Sequence, residues 1–393
     1  MDKKSFTLGY VTLIFIVMFF YGFSNQAIGT LITRIIEHYG IRMAQAGLLS
    51  SFTSAGNFAA IFVITIFVGR INKMLLMGAS LFFYAASLYM VSAMPLFGII
   101  LVCFALIGIF GATIDTLTNS LLADLMPKNI SRNMSLMHGL YGLGGLCGPI
   151  VIEALAGLLS WAQVYFIISI AFFIYVSAYA AFLAWHRSLL TTRMSHEKQG
   201  QFGVSDILRF FTQKRNVLLW IAMFFYGGNQ STLAVWIKRY VETHLDMPAW
   251  GAYALSAMWL GTAVCRLVIS PNIKASSPMN ICVGNLISAL VLAAGLLSAS
   301  AQGITAASLA VGLSSGLTVP LIIALGCELY KVKTAFGTLM PFTALFIAYV
   351  VFPPFSGFVS DSLGIPWGVA IAAMSAFLTA VFSNRLGANL KTE

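Results

Sequence analysis

Runs of about twenty apolar residues, parted by short polar breaks, follow one another along almost the whole of this 393-residue chain. A run of that length crosses a bilayer as a helix, because a helix pairs its backbone N–H and C=O groups without help from water. Charged residues make up only 9% of the sequence, too few to cover a soluble domain of this size. The chain is therefore expected to be an all-α, multi-pass membrane protein. Counted between breaks, the runs number twelve, near 7–28, 43–69, 74–93, 96–126, 134–157, 162–185, 218–241, 248–270, 278–298, 304–330, 335–358 and 364–384.

Lysine and arginine collect in short cytoplasmic loops, and this fixes the expected orientation. With the N-terminus inside, all but four of the 22 basic residues are cytoplasmic, the exceptions being Arg34, Arg42, Lys238 and Arg239. Both termini are then cytoplasmic, and the net charge of +10 is a topology signal rather than a sign of nucleic-acid binding. Lys3 and Lys4 precede an apolar run, but no small-residue cleavage pattern follows, so the first helix is expected to be retained. The one long hydrophilic break, 186–217, divides the spans six and six. This predicts an N-terminal six-helix bundle over 1–185, a basic cytoplasmic linker over 186–217 and a C-terminal bundle over 218–393. Cys103, Cys147, Cys265, Cys282 and Cys327 lie in or near spans with no metal-ligand spacing and read as small packing residues. No phosphate-binding loop, catalytic carboxylate pair or metal motif appears, so neither an enzyme nor a cofactor is expected.

The two halves resemble each other. Met18-Phe19-Phe20-Tyr21-Gly22, followed by Ser24-Asn25-Gln26, returns 205 residues later as Met223-Phe224-Phe225-Tyr226-Gly227, followed by Gly228-Asn229-Gln230. Arg34 and Glu37 match Arg239 and Glu242, Gly47 matches Gly251, Gly108 matches Gly312, and Asp124 matches Glu328 at nearly the same offset. Amide side chains are unfavourable in hydrocarbon unless they are paired or face a cavity. Their recurrence suggests two repeats that face a shared wet site. A Phe-Phe-Tyr cluster alone would read as packing.

Span 4 carries an intramembrane acid. Gly108, Gly111, Asp115, Thr118 and Asn119 share one helix face, with Asp115 roughly 16 Å from the cytoplasmic end. Such an acid marks an ion or proton path, although an Asp satisfied by Thr116, Thr118 or Asn119 would serve structure alone. In span 5, His138 and Tyr141 share a face, and Gly144, Gly148 and Pro149 allow close packing and a bend. Glu153 falls toward the outer end. Arg266 and Glu328, placed at the inner ends of spans 8 and 10, are candidate gating residues with Asp124 and Lys128. Arg34, Glu37, His38, Lys238, Arg239, Glu242, His244 and Asp246 stand at outer helix ends. The glycosylation-like Asn129-Ile130-Ser131 and Asn133-Met134-Ser135 face the cytoplasm in this topology and are discounted.

Six spans, a basic linker and six more spans in parallel repeats resemble the major facilitator superfamily. Gly69-Arg70-Ile71-Asn72-Lys73 is similar to that superfamily's loop between spans 2 and 3, without its Asp. Gly111-Ala-Thr-Ile-Asp115-Thr-Leu-Thr-Asn119, the stretch from His138 to Pro149 and the stretch from Tyr226 to Trp236 resemble the fucose-galactose-glucose proton symporter branch and its sodium-dependent glucose transporter relatives. The resemblance implies that Asp115 couples cation movement to sugar binding and that Asn119 is a sugar or helix-fixing contact. Some proton-coupled members carry a second acid in span 1, where this chain has Gly29 and Thr30. Exporters of the superfamily carry a span 5 signature whose final glycines are here Ile152 and Glu153.

The expectation is a secondary transporter of a small polar solute, a monosaccharide or polyol, coupled to protons or sodium and working by alternating access. The chain is expected to act as a monomer in the lipid bilayer of a bacterial inner membrane. Tyr21, Asn25, Gln26, Asn119, Tyr226, Asn229, Gln230 and Trp236 offer amides and flat ring faces suited to a sugar. A charged substrate would call for a mid-membrane Arg or Lys, which neither repeat supplies in sequence. The alternatives are a proton-driven exporter of amphiphilic or cationic compounds and a membrane sensor or scaffold that does not transport.

Overall fold

The computed structural model describes residues 3–67, 72–126, 130–186, 204–269, 277–330 and 334–392. Among them, ten helical stretches are long and apolar enough to cross a membrane. The first is longer than the expected run at 7–28: it extends to Tyr39 as α1 (Lys3–Ser24) and α2 (Ala27–Tyr39). The runs expected at 43–69 and 218–241 are helical as α3 (Met43–Phe67) and α9 (Lys214–Thr243). The first unit continues with α4 (Lys73–Ser92), α5 (Phe97–Leu125), α6 (Ile130–Ala156) and α7 (Trp161–Trp185). A short helix, α8 (Val204–Thr212), precedes α9. After α9 come α10 (Pro248–Val264) with a π-helical turn at Cys265–Ile269, α11 (Pro278–Leu297), α12 (Ala301–Ser315), α13 (Thr318–Leu329), α14 (Thr334–Leu363) and α15 (Ile365–Thr392). Most of the linker, most of the loop after α3, and Lys128 and Asn129 lie outside the described residues.

The chain forms two compact units, Met1–Gly40 with Phe52–His196, and Ile41–Ser51 with Glu197–Glu393. In the first, α1 lies along α6, and α4 packs between α5 and α7. In the second, α9 lies along α14 and α15, α10 packs on α12, and α11 packs between α12 and α15. Polar side chains start several helices: Ser160 makes a capping box with Gln163, Asn72 accepts from Met74 N–H, and Ser300 accepts from Gly303 N–H. One cap is supplied from far along the chain. The Asp361 carboxylate, on α14, accepts from Met43 N–H at 3.0 Å and Ala44 N–H at 2.9 Å, closing the start of α3.

The internal repeat appears as the same close helix crossing in each unit. A Cβ added to Gly108 would stand 2.0 Å from the Thr53 carbonyl oxygen, and one on Gly56 2.1 Å from that of Ala105. In the second unit, Gly312 meets the Met258 carbonyl at 2.2 Å and Gly261 meets that of Leu309 at 2.2 Å. These positions correspond at offsets of 204 or 205 residues. Reciprocal glycines bring two backbones together with no side chain between them, the usual means of close packing where no hydrophobic force drives helices together. Gly47 and Gly251, matched in sequence, have different neighbours: Gly47 abuts the backbone of Pro353 and Pro354, and Gly251 abuts Lys238.

Because the crossing is backbone on backbone, a side chain there has nowhere to go. Gly312→Val is expected to lower stability by at least ~1–3 kcal/mol, the usual range for overpacking. Thermal denaturation of the purified protein, followed by fluorescence-detected gel filtration, measures this. An unchanged melting temperature would contradict the crossing.

Candidate functional site

Helix breaks bring polar groups to mid-depth in each unit. In the first, α1 gives way to α2 at Asn25–Gln26, where the Gln26 N–H bonds Phe23 O and leaves the Gly22 carbonyl to a side chain. Gln26 Nε2 donates to Gly22 O at 3.5 Å, and Thr30 Oγ1 donates to Gln26 O at 2.8 Å. Gln26 is buried, with its side chain against Gly148 of α6. Asn25 turns toward α6 and donates to the Tyr141 hydroxyl at 3.0 Å, while also hydrogen-bonding Tyr21. The Tyr21 ring fits over Gly111, with its centroid 5.6 Å from that of Tyr141 and 5.8 Å from that of Tyr84.

Asp115 lies beside this ring cluster, ten residues from the end of α5. Asn119 donates from Nδ2 to the Asp115 carbonyl at 2.7 Å and reaches its carboxylate at 3.4 Å. Asn119 Oδ1 in turn faces His138 Nε2 at 3.1 Å. Asp115 and Asn119 are half-buried and His138 is exposed. Among the described residues, no lysine or arginine neutralises Asp115. The acid and the amide were legible from their spacing on one helix. His138 reaches the pair only because α6 packs beside them. The glycines of span 5 are explained by packing, Gly144 against Phe19 O and Gly148 against Gln26.

The second unit uses the same motif differently. α9 runs unbroken through Gly228-Asn229-Gln230. Asn229 is fully buried and donates to Ala372 O of α15 at 3.0 Å, and Gln230 donates to Asn229 Oδ1 at 3.3 Å. Trp236 is also buried, with Nε1 donating to Pro353 O of α14 at 3.1 Å. Asn229 and Trp236 join helices within the unit, and Gln230 braces Asn229 along α9. Arg266 lies beside the Tyr226 hydroxyl.

That contact sets the direction of the Arg266 side chain at the end of its span. Arg266 Nε donates to Gly316 O at 3.1 Å. Gly316 and Tyr226 stand near the middles of Ala301–Leu329 and α9. A helical side chain leans toward its helix N-terminus, so the long Arg266 side chain reaches back from the end of α10 toward mid-depth. The other gating candidates have contacts or exposure of their own. Asp124 pairs with Lys73 at 2.7 Å, and Glu328 is exposed. Glu153 is no lone end charge: Arg34 grips it through two bonds, of 2.8 and 3.0 Å. Lys238 and Glu242 form a buried ion pair along α9.

Two helical bundles built on one repeat, with an unneutralised acid and an arginine held within membrane-spanning helices, define a polytopic membrane transporter. The chain belongs to the Major Facilitator Superfamily, whose family model matches residues 14–344. Over 282 residues it is 21% identical to sodium-dependent glucose transporter 1A of Mus musculus, an alignment covering 62% of this chain and 64% of that protein. Among solved structures it resembles a bacterial homologue of the human lysosomal transporter Spinster, at 15% identity and a TM-score of 0.69 over 97% of this chain and 95% of that one. It also resembles the E. coli fucose:proton symporter, at 17% identity and a TM-score of 0.59 over 97% and 99%. A POT family transporter, in complex with a conjugated peptide, matches at 14% identity and a TM-score of 0.75 over 96% of each chain. At these identities the likeness to solved structures is one of fold. The family is one of transporters, not enzymes.

The unequal use of the two amides has a measurable consequence. Asn229→Ala removes a buried interhelical bond and strands Gln230, so a loss of ~1–3 kcal/mol is expected. Asn25→Ala, at a half-exposed position where water replaces the lost partner, is expected to cost less. Melting temperatures of the two purified variants compare them directly, and an equal or reversed order would contradict the assignment.

Proposed function

We propose that this chain is a cation-coupled secondary transporter of a small polar solute, a monosaccharide or polyol, working by alternating access. The observation that carries the reading is Asp115: a half-buried acid within a membrane-spanning helix, without a lysine or arginine partner among the described residues. A carboxylate kept in that setting is a site for a travelling cation, because a proton or sodium ion supplies the charge that no side chain provides. Asn119 and His138 hold it in a chain of hydrogen bonds through which occupancy at the acid alters the contacts offered to a solute. Asn25, Asn119 and the Tyr21 and Tyr141 hydroxyls offer donors and acceptors together, and the tyrosine rings offer flat apolar faces, the combination that suits a sugar. Tyr226 is the corresponding ring of the second unit, with Asn229, Gln230 and Trp236 fixing the helix that carries it. The names of the Mus musculus glucose transporter and the E. coli fucose symporter support the substrate class. The first support of a coupling ion is Asp115 itself. Orientation with both termini in the cytoplasm, twelve spans and residence in a bacterial inner membrane complete the reading. Asp124, Arg266 and Glu328 remain candidates for contacts made in another conformation.

Asp115→Asn is expected to abolish concentrative uptake in proteoliposomes bearing a proton or sodium gradient, while exchange of preloaded solute partly survives. Undiminished accumulation by that variant would remove Asp115 from coupling. A deletion strain that gains sensitivity to cationic dyes with no defect in sugar uptake would select export of amphiphilic compounds instead.

A further inference from the structure

The break between α12 and α13 has a cause legible residue by residue. Pro320 has no N–H, so Gly316, four residues earlier, has no helical donor for its carbonyl. An unpaired carbonyl at mid-membrane is unfavourable by several kcal/mol in hydrocarbon, on the order given by transfer of an amide group. Arg266 Nε supplies the missing bond at 3.1 Å. The same guanidinium lies beside the Tyr226 hydroxyl.

These two contacts steer the guanidinium without neutralising it. A guanidinium has five N–H donors in a rigid plane, and Nε is the one committed to Gly316. Arg266 is exposed, and among the described residues it forms no ion pair. Among the described acids of its unit, Asp246 lies beyond the far end of α9, whose last residue is seventeen past Tyr226. Glu242 pairs with Lys238 and Asp361 caps α3. Glu328 follows Gly316 by twelve residues, roughly 18 Å along a helix. The position one repeat earlier is the uncharged Ile61. If closing one broken carbonyl were the whole task, a neutral amide or hydroxyl would serve it with no charge to desolvate. An arginine anchored through Nε presents its two terminal amino groups as an open fork, the geometry that grips a carboxylate through two parallel bonds.

We propose that Arg266, fixed by Gly316 and Tyr226, binds a carboxylate of the transported solute, so that the substrate is an anionic polyhydroxylated molecule, a sugar acid, rather than a neutral sugar. The hydroxylated part of this assignment rests on the proposed function, and the carboxylate rests on Arg266 alone.

Binding of D-gluconate, D-glucitol and succinate to the purified full-length protein, by isothermal titration calorimetry, tests the proposal. Gluconate and glucitol share a six-carbon polyol skeleton and differ at one end, carboxylate against alcohol. The wild type is expected to bind gluconate roughly ten- to a hundredfold more tightly than glucitol, the worth of a charge-assisted bidentate contact. Arg266→Gln, which keeps an amide donor for Gly316, is expected to bring gluconate down to the level of glucitol. Arg266→Lys, which keeps the charge without the fork, is expected to fall between. Equal wild-type binding of gluconate and glucitol would overturn the proposal while leaving the sugar reading intact, and needs no variant to fold. A gluconate preference that persists in Arg266→Gln would overturn it too. Succinate bound through Arg266, with neither six-carbon compound bound, would uphold the carboxylate site and remove the sugar reading. Binding of none of the three would overturn both.

Discussion

In hydrocarbon a backbone amide has no water to fall back on, so each one is paired within the chain or the segment does not stay there. Continuous helices meet that demand without side chains. Interrupted ones do not, and the two interruptions at mid-depth are where this protein's polar chemistry collects. At Asn25–Gln26 the amide of Gln26 bonds to the freed Gly22 carbonyl. At Gly316 the missing donor is Arg266. Side chains called in to repair the backbone become fixed polar groups deep in the bundle, positioned more rigidly than any loop residue.

The same frame carries both interruptions. Reciprocal glycines, Gly56 with Gly108 and Gly261 with Gly312, hold corresponding helix pairs at backbone contact in the two units. On this shared frame the units have diverged in charge. Tyr21 stands beside Asp115 in one, and its counterpart Tyr226 stands beside Arg266 in the other. Their amides have diverged as well: Asn25 points to the half-exposed Tyr141 hydroxyl, whereas Asn229 is sealed against α15. A motif duplicated in sequence thus serves as a polar surface in one unit and as interhelical glue in the other. The difference follows from the helix, broken in the first case and continuous in the second.

Charges near helix ends follow a similar logic. Arg34 with Glu153, Lys73 with Asp124, and Lys238 with Glu242 are each paired, whereas Glu37, His38, Arg42, His244, Asp246 and Glu328 are exposed. Partly exposed pairs of this kind contribute little stability. Lys238, at 1% side-chain exposure, is the exception, since removing either member of a buried pair strands the other charge. Asp361 shows the same economy on a backbone target, its carboxylate closing the start of a helix more than 300 residues earlier in the chain.

Much of this was readable without coordinates. Apolar run length determines where the helices are, because bilayer thickness sets how many residues a crossing needs. The offset of 204 to 205 residues determines that there are two repeats, and the i, i+4 spacing of Asp115 and Asn119 determines that they are neighbours. Contacts between helices carry no such periodic mark. That His138 would meet Asn119, that Asn229 would be consumed in packing, and that Arg266 would swing from the end of α10 to Tyr226 depended on which helix lies beside which. Pro320 was visible in the sequence, but the donor that repairs its missing bond was not. Local hydrogen bonding and hydropathy act within a segment and are written in it, whereas the direction and partner of a long side chain are settled only when segments distant in the chain come into contact.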